Sequence, residues 1–362
     1  MIKIKNFAIA LMVVAVFLLA ACNNSPAIST TPDTNKETIT VTDSVGRAVE
    51  VPKKVEKIAA LYSFAGYTVC LLGSGNDLVG VPGGLQRDIL LVEIFPELAN
   101  ASTPRTGGTI NIEELLRIDP DVVLVRKDTV ADDREVEKLD KSGLPYIVVD
   151  YSTMEEQREA ILIIGKAIGK EAEARTFNNY YLDTIDRVSQ LVGDIPEGEK
   201  VRLYHSENQA TRATHESSLA ADWTRAAGVI NVSVGGDLEL VGNDYYASIE
   251  QILFWDPEVI IVNESTAYSL ITSHPQWSGI SAVREGKVYQ LPNGISRWGH
   301  PGSVETPLAL LWTAKTVYPE LFTHVEMGEE VQYFYKTFFN MELDDEMIAT
   351  VLRGGDLRED KQ

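Results

Sequence analysis

Arginine, histidine and aromatic side chains stand after several apolar runs of the chain, where they could bind a small ligand. Guanidinium groups bind carboxylate, catecholate and oxyanion oxygens in bidentate fashion, and an indole ring can stack on a flat chelate. This combination indicates capture of a negatively charged small molecule. The candidates for ligand contact are Tyr62, Ser63, Arg126, Lys127, His205, Arg212, Arg297, Trp298 and His300, with Gly83, Gly84, residues 105–109, Tyr204, His215, Asn263 and Glu264 as further candidates.

Other interpretations of several of these residues stay open at this stage. Arg126 and Lys127 also fit a solvated pair in a loop, and His215 in ATHESS fits a cap at the surface. Trp298 also fits an apolar lid on the C-terminal helix.

The placement of the histidines bears on metal binding. A receptor for bare Zn²⁺ or Mn²⁺ usually gathers imidazoles and carboxylates from both sides of its site. All histidines lie after residue 200, namely His205, His215, His274, His300 and His324. A naked divalent ion is therefore disfavoured, although Asp, Glu and Tyr could contribute ligands. His205 and His300 could instead ligate a metal within a chelate, or only donate hydrogen bonds to it.

Signatures of catalysis are absent from the sequence. There is no HExxH zinc motif and no GxSxG nucleophile elbow, and the glycine-rich stretches GSGNDLVG and VGGDLELVG do not form a P-loop. We therefore predict a binding protein rather than an enzyme, with no cofactor and no directly assigned metal.

One pattern occurs twice: NIEELLRIDPDVVLV at 111–125 and SIEQILFWDPEVIIV at 248–262. Asn111 and Ser248 are good helix N-caps, and apolar residues at helical spacing follow them. A proline stops each helix, and a β-branched run suited to a buried parallel strand comes next. The repeat predicts two similar α/β lobes.

The remaining elements fit the same plan. Strands are predicted at KIAALYS, LVGVP and GLPYIVVD in the first half and at KVRLYHS, VINVS and GKVYQLP in the second. The fold class is α/β, with mainly parallel central sheets in two lobes that are joined by a long helix, broken at most near Gly169. The expected boundaries are a signal peptide at 1–21, a flexible tether at 22–38, an N-terminal lobe at 39–153, connecting helices at 154–195 and a C-terminal lobe with C-terminal helices at 196–362.

The first residues and the charge indicate where the protein works. Lys3 and Lys5 precede an apolar stretch that ends in LAAC, which resembles the lipobox of bacterial lipoproteins and would make Cys22 the lipidated residue. The formal charge of −21 makes nucleic-acid binding improbable. Cys70, in an apolar run, is expected to be a buried and inert thiol.

The chain resembles the class III substrate-binding proteins of ABC importers, the iron–siderophore and cobalamin group. The likeness rests on the repeated signature, on ITVTDSVGRAVEVPKKVEKIAAL, on HPQWSGISAVREGKVYQLP and on WGHPGSVETPLALLW. It implies an extracytoplasmic, lipid-anchored monomer that captures an iron(III)–siderophore or related metal chelate. Molybdate or tungstate, a corrinoid and haem are alternative ligands for a receptor of this type.

The resemblance also implies partners. In this group, one Glu on the rim of each lobe pairs with arginines of a permease dimer, which an ATPase drives. The matching positions here are Glu113 and Glu250. A carboxylate in the first turn of a helix also simply complements the helix dipole, but that effect does not require a Glu at the same place in both lobes.

Overall fold

The computed structural model describes residues 37–355. The predicted signal peptide and lipidated Cys22 lie outside this range, as does all of the tether except its last two residues. Among the described residues, no helix is long and apolar enough to cross a membrane.

The first lobe is built on a parallel sheet of four strands in the order β4-β3-β7-β8. Its strands are β1 (Thr38–Thr42), β2 (Ala48–Pro52), β3 (Ile58–Ala60), β4 (Leu78–Gly80), β5 (Arg105–Thr106), β6 (Thr109–Ile110), β7 (Val122–Val125) and β8 (Tyr146–Val148). Its helices are α1 (Ser63–Leu71), α2 (Ile89–Ile94), α3 (Ile112–Ile118), α4 (Lys127–Val130) and α5 (Asp133–Ser142). Strands β1 and β2 form an antiparallel hairpin.

Two helices, α6 (Met154–Ala167) and α7 (Glu171–Val192), connect the lobes. The expected break is confirmed, because Gly169 adopts a left-handed conformation between them. The helices pack closely where Gly165 faces Ala174, since a Cβ at Gly165 would lie 2.5 Å from the Cβ of Ala174. With 22 residues, α7 is about 33 Å long. Its end packs against the second lobe, where the side chain of Val192 covers Gly228.

The second lobe repeats the topology of the first, with a parallel sheet in the order β10-β9-β13-β14. Its strands are β9 (Arg202–Ser206), β10 (Ile230–Asn231), β11 (Glu239–Val241), β12 (Asp244–Tyr246), β13 (Val259–Val262) and β14 (Val288–Gln290). Its helices are α8 (Leu219–Ala226), α9 (Ile249–Trp255), α10 (Ser265–Ser273) and α11 (Ser281–Arg284), followed by the C-terminal α12 (Thr306–Val317), α13 (Met327–Phe339) and α14 (Asp345–Leu352). Both sheets have the chain order 2-1-3-4 within their lobe, so the two-lobed α/β fold is confirmed.

The repeated pattern forms the same unit twice. The side chains of Asn111 and Ser248 accept hydrogen bonds from the third residue of α3 and α9, at 3.1 and 3.0 Å. Each helix ends at a left-handed aspartate, Asp119 or Asp256, and each following strand is buried along its whole length. Local rules of capping and proline placement therefore account for both copies.

The interior is apolar and includes Cys70, which the sequence analysis expected to be buried. Cys70 is fully buried and unpaired, and burial raises the pKa of its thiol, as expected of an inert residue. On α13, Phe334, Tyr335 and Phe339 are buried in the core, whereas Tyr333 is 54% exposed.

Candidate functional site

A cleft of about 510 Å³ lies between the lobes, at the carboxyl ends of the sheet strands. In each sheet the chain order reverses between the first and third strands, β3 and β7 or β9 and β13, which is where open α/β sheets bind ligands. The residues that follow these strands therefore face the space between the lobes. Among the sequence candidates, those that line the cleft are Tyr62, Ser63, Arg105, Arg126, Arg212, His215 and His300.

On the first-lobe side, each arginine has a carboxylate beside it. The Nη2 atom of Arg105 lies 3.3 Å from Oδ2 of Asp128, and Nε of Arg126 lies 3.5 Å from Oδ1 of Asp150. Burial raises the pKa of Asp150, and the nearby Arg126 partly offsets that rise. The first-lobe wall thus presents ion pairs rather than bare cations.

On the second-lobe side, Arg212 lies between two carboxylates. Its Nε atom is 3.3 Å from Oε2 of Glu207, and its Nη2 atom is 2.7 Å from Oδ1 of Asp244. Glu207 is almost fully buried, and this burial raises its pKa to about 7 although Arg212 opposes the rise. Asp244 comes from the β11–β12 hairpin, which reaches the cleft from the side.

Aromatic side chains form much of the remaining wall. The imidazole of His215 stacks on the ring of Tyr245 with centroids 4.3 Å apart. Tyr151 packs on Phe64 at 4.4 Å, and its hydroxyl donates to the carbonyl of Pro301. Because Tyr151 follows β8 and Pro301 precedes α12, that bond closes one end of the cleft.

His300 and the backbone beside it belong to the same closing loop. His300 is half-buried, and its Nδ1 accepts a hydrogen bond of 3.1 Å from the amide of Gly302. Gly302 lies close to Ser63, at the first turn of α1. The loop therefore places the imidazole of His300 near the carboxyl end of β3.

His205 does not line the cleft. Its Nε2 donates to Oδ1 of Asn263 at 2.7 Å, and its Nδ1 accepts from the hydroxyl of Thr214 at 3.1 Å. This assignment follows because the amide nitrogen of Asn263 already donates to the carbonyl of Trp298. Burial lowers the pKa of His205 to about 4, so the ring stays neutral and ties β9, β13 and the loop before α12 together.

Several other sequence candidates also lie outside the cleft lining, namely Lys127, Arg297, Trp298, Gly83, Gly84, residues 106–109, Tyr204, Asn263 and Glu264. Arg297 forms an ion pair with Glu264 and donates to Asn208 at 3.2 Å. Trp298 is fully buried in the core that contains α12, which fits the alternative of an apolar lid on the C-terminal helix. Lys127 is exposed at the start of α4.

Sequence reasoning missed the acidic half of the cleft. The carboxylates that line it are Asp128, Asp150, Glu207 and Asp244. Three of them carried the same signal as the arginines, because Glu207 directly follows β9, Asp150 lies two residues after β8 and Asp128 lies three residues after β7. The contribution of the β11–β12 hairpin had no such signal, since its glycine-rich sequence fitted an ordinary turn.

The proposed docking carboxylates occupy equivalent positions. Glu113 and Glu250 are each the second residue of their helix, α3 or α9, and both are exposed. Beside α9 the second lobe carries a larger and more open hollow of about 690 Å³, lined in part by Ser248, Ile249 and Trp277. Glu239 is the only charged residue among those that line it, whereas the cleft brings polar groups together from both lobes.

Comparisons with known proteins agree on the family. A family model described as periplasmic binding protein matches residues 96–294, more than half of the chain. A periplasmic solute-binding protein of Veillonella parvula superposes with a TM-score of 0.75 at 25% identity, over 87% of this chain and 97% of that one.

Two further relatives were studied with ligands. The molybdate-binding protein MolA of Haemophilus influenzae is 22% identical over 83% of this chain and 90% of its own, and its molybdate-bound structure has a TM-score of 0.75. Helicobacter pylori CeuE, solved as a nickel–histidine complex, has a TM-score of 0.70 at 22% identity, over 87% of this chain and 99% of that one. The two lobes, the cleft between them and these matches show that the chain belongs to the periplasmic binding protein family, as an extracytoplasmic substrate-binding protein of ABC importers and not an enzyme.

Proposed function

We propose that this protein captures a metal chelate of the iron(III)–siderophore type between its lobes and delivers it to a membrane permease. The observation that carries the proposal is the cleft itself. Its volume of about 510 Å³ falls within the range of about 300–1,000 Å³ that is usual for sites that enclose whole organic ligands. A single tetrahedral oxyanion fills only a small part of such a space.

Five of the sequence candidates provide the contacts in this proposal. Ser63 supplies a polar group just after β3, and Tyr62 lines the cleft with its ring while its hydroxyl donates to the carbonyl of Val149 at 2.8 Å. Arg126 is the cleft arginine most open to solvent. Arg212 and His300 face them from the second half of the chain. The remaining candidates, His205, Arg297 and Trp298, support the loops from behind, and Lys127 lies on the exposed rim.

Delivery rests on the two rim carboxylates. Glu113 and Glu250 are exposed at matching positions, which suits pairing with arginines on the two subunits of a permease dimer. A separate ATPase subunit then drives transport. In this proposal, lipidated Cys22 holds the receptor at the membrane surface.

Molybdate or tungstate is the second candidate ligand, favoured by the relation to MolA. The structure solved with nickel–histidine belongs to a relative that accepts a metal complex, which favours the chelate. The two candidates differ in size and charge, so a direct binding experiment separates them.

A thermal-shift panel on the purified protein tests the proposal. It would contain ferric chelates of hydroxamate, catecholate and carboxylate type, haem, cobalamin, molybdate, tungstate and free Zn²⁺, Mn²⁺ and Fe³⁺. A ligand at about 100 times its Kd stabilises the protein by about 2.7 kcal/mol. We expect a ferric chelate to give the largest shift and Arg126→Gln to change that shift, whereas Arg134→Gln, at an exposed arginine on α5, should not. A shift with molybdate or tungstate alone would replace the proposed ligand.

A further inference from the structure

The charges that line the cleft do not add up to an anion-binding surface. Three arginines and four carboxylates face it, and with neutral histidines the negative groups are in excess. The cationic members are Arg105, Arg126 and Arg212, and the anionic members are Asp128, Asp150, Glu207 and Asp244. These seven side chains are called the cleft charges below.

Every arginine among the cleft charges already has a carboxylate partner. The distances from arginine nitrogen to carboxylate oxygen are 3.3 Å for Arg105 and Asp128, and 3.5 Å for Arg126 and Asp150. Arg212 has two partners, at 2.7 and 3.3 Å. The guanidinium donors of Arg105 and Arg212 are therefore largely engaged before an anionic ligand arrives, whereas Arg126 makes one contact of 3.5 Å and keeps donors open beside the carboxylate of Asp150.

The pairs of Arg105 and Arg212 are shielded from solvent, whereas the side chain of Arg126 is 54% exposed beside Asp150. The side chains of Arg105 and Arg212 are only 16% and 17% exposed, and that of Glu207 is 7% exposed. Charges that are removed from water are screened weakly by salt. A polyanion entering the cleft must displace a resident carboxylate and then remain close to it, so repulsion opposes its binding.

The carboxylates also provide a positive means of recognition. Asp128 and Asp244 have side chains that are 48% and 36% exposed, so their oxygens remain open to further donors. Amide, hydroxyl or ammonium groups on a ligand can donate to them. The raised pKa of Glu207 is consistent with this view, because protonation of that group alone brings the seven cleft charges to neutrality and not to a net positive charge.

The charge of the whole chain acts in the same direction. The formal net charge is −21, and a field of that sign slows the approach of polyanions and favours neutral or cationic ligands. This long-range effect is independent of the pairing inside the cleft.

We infer that the cleft selects neutral or positively charged metal chelates that carry hydrogen-bond donors, and discriminates against polyanionic chelates and free oxyanions. The inference rests on the proposed function and specifies its substrate class. Three hydroxamates neutralise Fe³⁺, whereas three catecholates leave a charge of −3 on the complex. Ferric trihydroxamates therefore belong to the selected class, and ferric tris-catecholates belong to the excluded one.

Titration calorimetry with four probes tests the inference. The probes are a neutral ferric trihydroxamate, a cationic ferric trihydroxamate with a free amine, a ferric tris-catecholate and molybdate. We expect the two trihydroxamates to bind at least about tenfold more tightly than the tris-catecholate and molybdate, which corresponds to about 1.4 kcal/mol. Tighter binding of the tris-catecholate would overturn the inference and leave the proposed function standing.

Variants that neutralise Asp150 or Asp244 provide a second test of the inference. Asp150→Asn removes the partner of Arg126, and Asp244→Asn removes one of the two partners of Arg212, so affinity for the tris-catecholate should rise and affinity for the cationic chelate should fall. Asp183→Asn, at an exposed position on α7, makes the same change of charge away from the cleft and should alter neither. Unchanged catecholate affinity in both cleft variants would also overturn the inference. Binding of none of the four probes by the native protein would overturn the proposed function and with it the inference.

Discussion

The units α3–β7 and α9–β13 arise from one sequence pattern and share their backbone plan, yet they present different surfaces. Both have a side-chain N-cap, an exposed Glu as second residue and a left-handed aspartate before proline. On the first lobe, Glu114 binds Arg117 and Ser102, and chiefly the bonds from Arg117 lower the pKa of Glu114 to about 2.

On the second lobe, the position of Arg117 is taken by Phe254, whose side chain is 83% exposed. No equivalent of the Glu114–Arg117 pair exists there, because Gln251 replaces the glutamate. Features that both units keep serve the fold or a function that is common to both lobes. Other features differ, since the second lobe has an exposed phenylalanine at the position where the first lobe has the arginine of a salt bridge, and these features distinguish one lobe from the other.

The largest expected effect comes from reversing the shared carboxylates. The double variant Glu113→Lys/Glu250→Lys should abolish uptake, because both rim charges would then repel the arginines expected on the permease, and each single variant should reduce uptake partially. Ligand affinity should stay unchanged, since neither residue lines the cleft. Uptake by cells and ligand titration would measure the two properties separately.

A matched control isolates the helix-dipole effect of that change. Glu155 and Glu346 are also exposed acidic residues in first helical turns, on α6 and α14. Reversing both should cost a similar dipole energy, about 0.3–1 kcal/mol each, while uptake stays normal. Normal uptake by the Glu113/Glu250 double variant, or loss of its ligand affinity, would refute the docking assignment.

The second effect concerns stability, because replacing the two left-handed aspartates, Asp256 and Asp119, should lower the free energy of unfolding by different amounts. Asp256 accepts hydrogen bonds from the amide and hydroxyl of Ser281 at 2.7 and 2.8 Å, whereas Asp119 has only a contact of 3.6 Å with Lys57. Both variants place alanine in a left-handed conformation that aspartate tolerates better, and Asp256→Ala also loses two hydrogen bonds. Asp256→Ala should therefore lower the free energy of unfolding by about 2–3 kcal/mol, and Asp119→Ala by about 1 kcal/mol. Urea unfolding measures both, and equal losses would contradict the comparison.

The same bonds give the second-lobe unit a dependence on pH. They hold the pKa of Asp256 below its usual value in the folded protein. The stabilisation is therefore complete above the unfolded pKa of about 3.9, and it is lost as the pH falls through the lowered folded value. Asp256→Asn should remove this part of the acid sensitivity.

The smallest effect concerns the exposed aromatic. Phe254→Ser should change the free energy of unfolding by no more than about 0.5 kcal/mol, because the ring is mostly in solvent. If the second lobe contacts the permease through this side chain, uptake should fall several-fold at unchanged ligand affinity. Leu240→Ser, on the β11 strand of the same lobe and also exposed, serves as the control. Equal uptake by the Phe254 variant and the native protein would remove this residue from the interface.

Much of the architecture could be predicted because its signals are local. Caps, prolines and β-branched runs located both repeated units, and the strand ends located the cleft. The charge of the cleft could not be predicted, because the partners of Arg105 and Arg126 lie 23 and 24 residues further along the chain. Which loops meet is decided by the packing of the lobes. For the same reason, His205 resembled a ligand contact in the sequence, but in the fold its ring is hydrogen-bonded to the side chain of Asn263.

The close packing of α6 and α7 has a consequence for how empty and loaded receptors compete for the permease. A connector packed as closely as Gly165 on Ala174, and seated in the second lobe at Val192, resists bending, so loading the cleft changes the spacing of the two rim carboxylates little. The distance between Glu113 and Glu250 would then be nearly the same in the empty and the loaded receptor. If the rim carboxylates dock the receptor as proposed, empty copies should fit the permease nearly as well as loaded ones and compete with them for it. Import should then fall when receptor greatly outnumbers ligand.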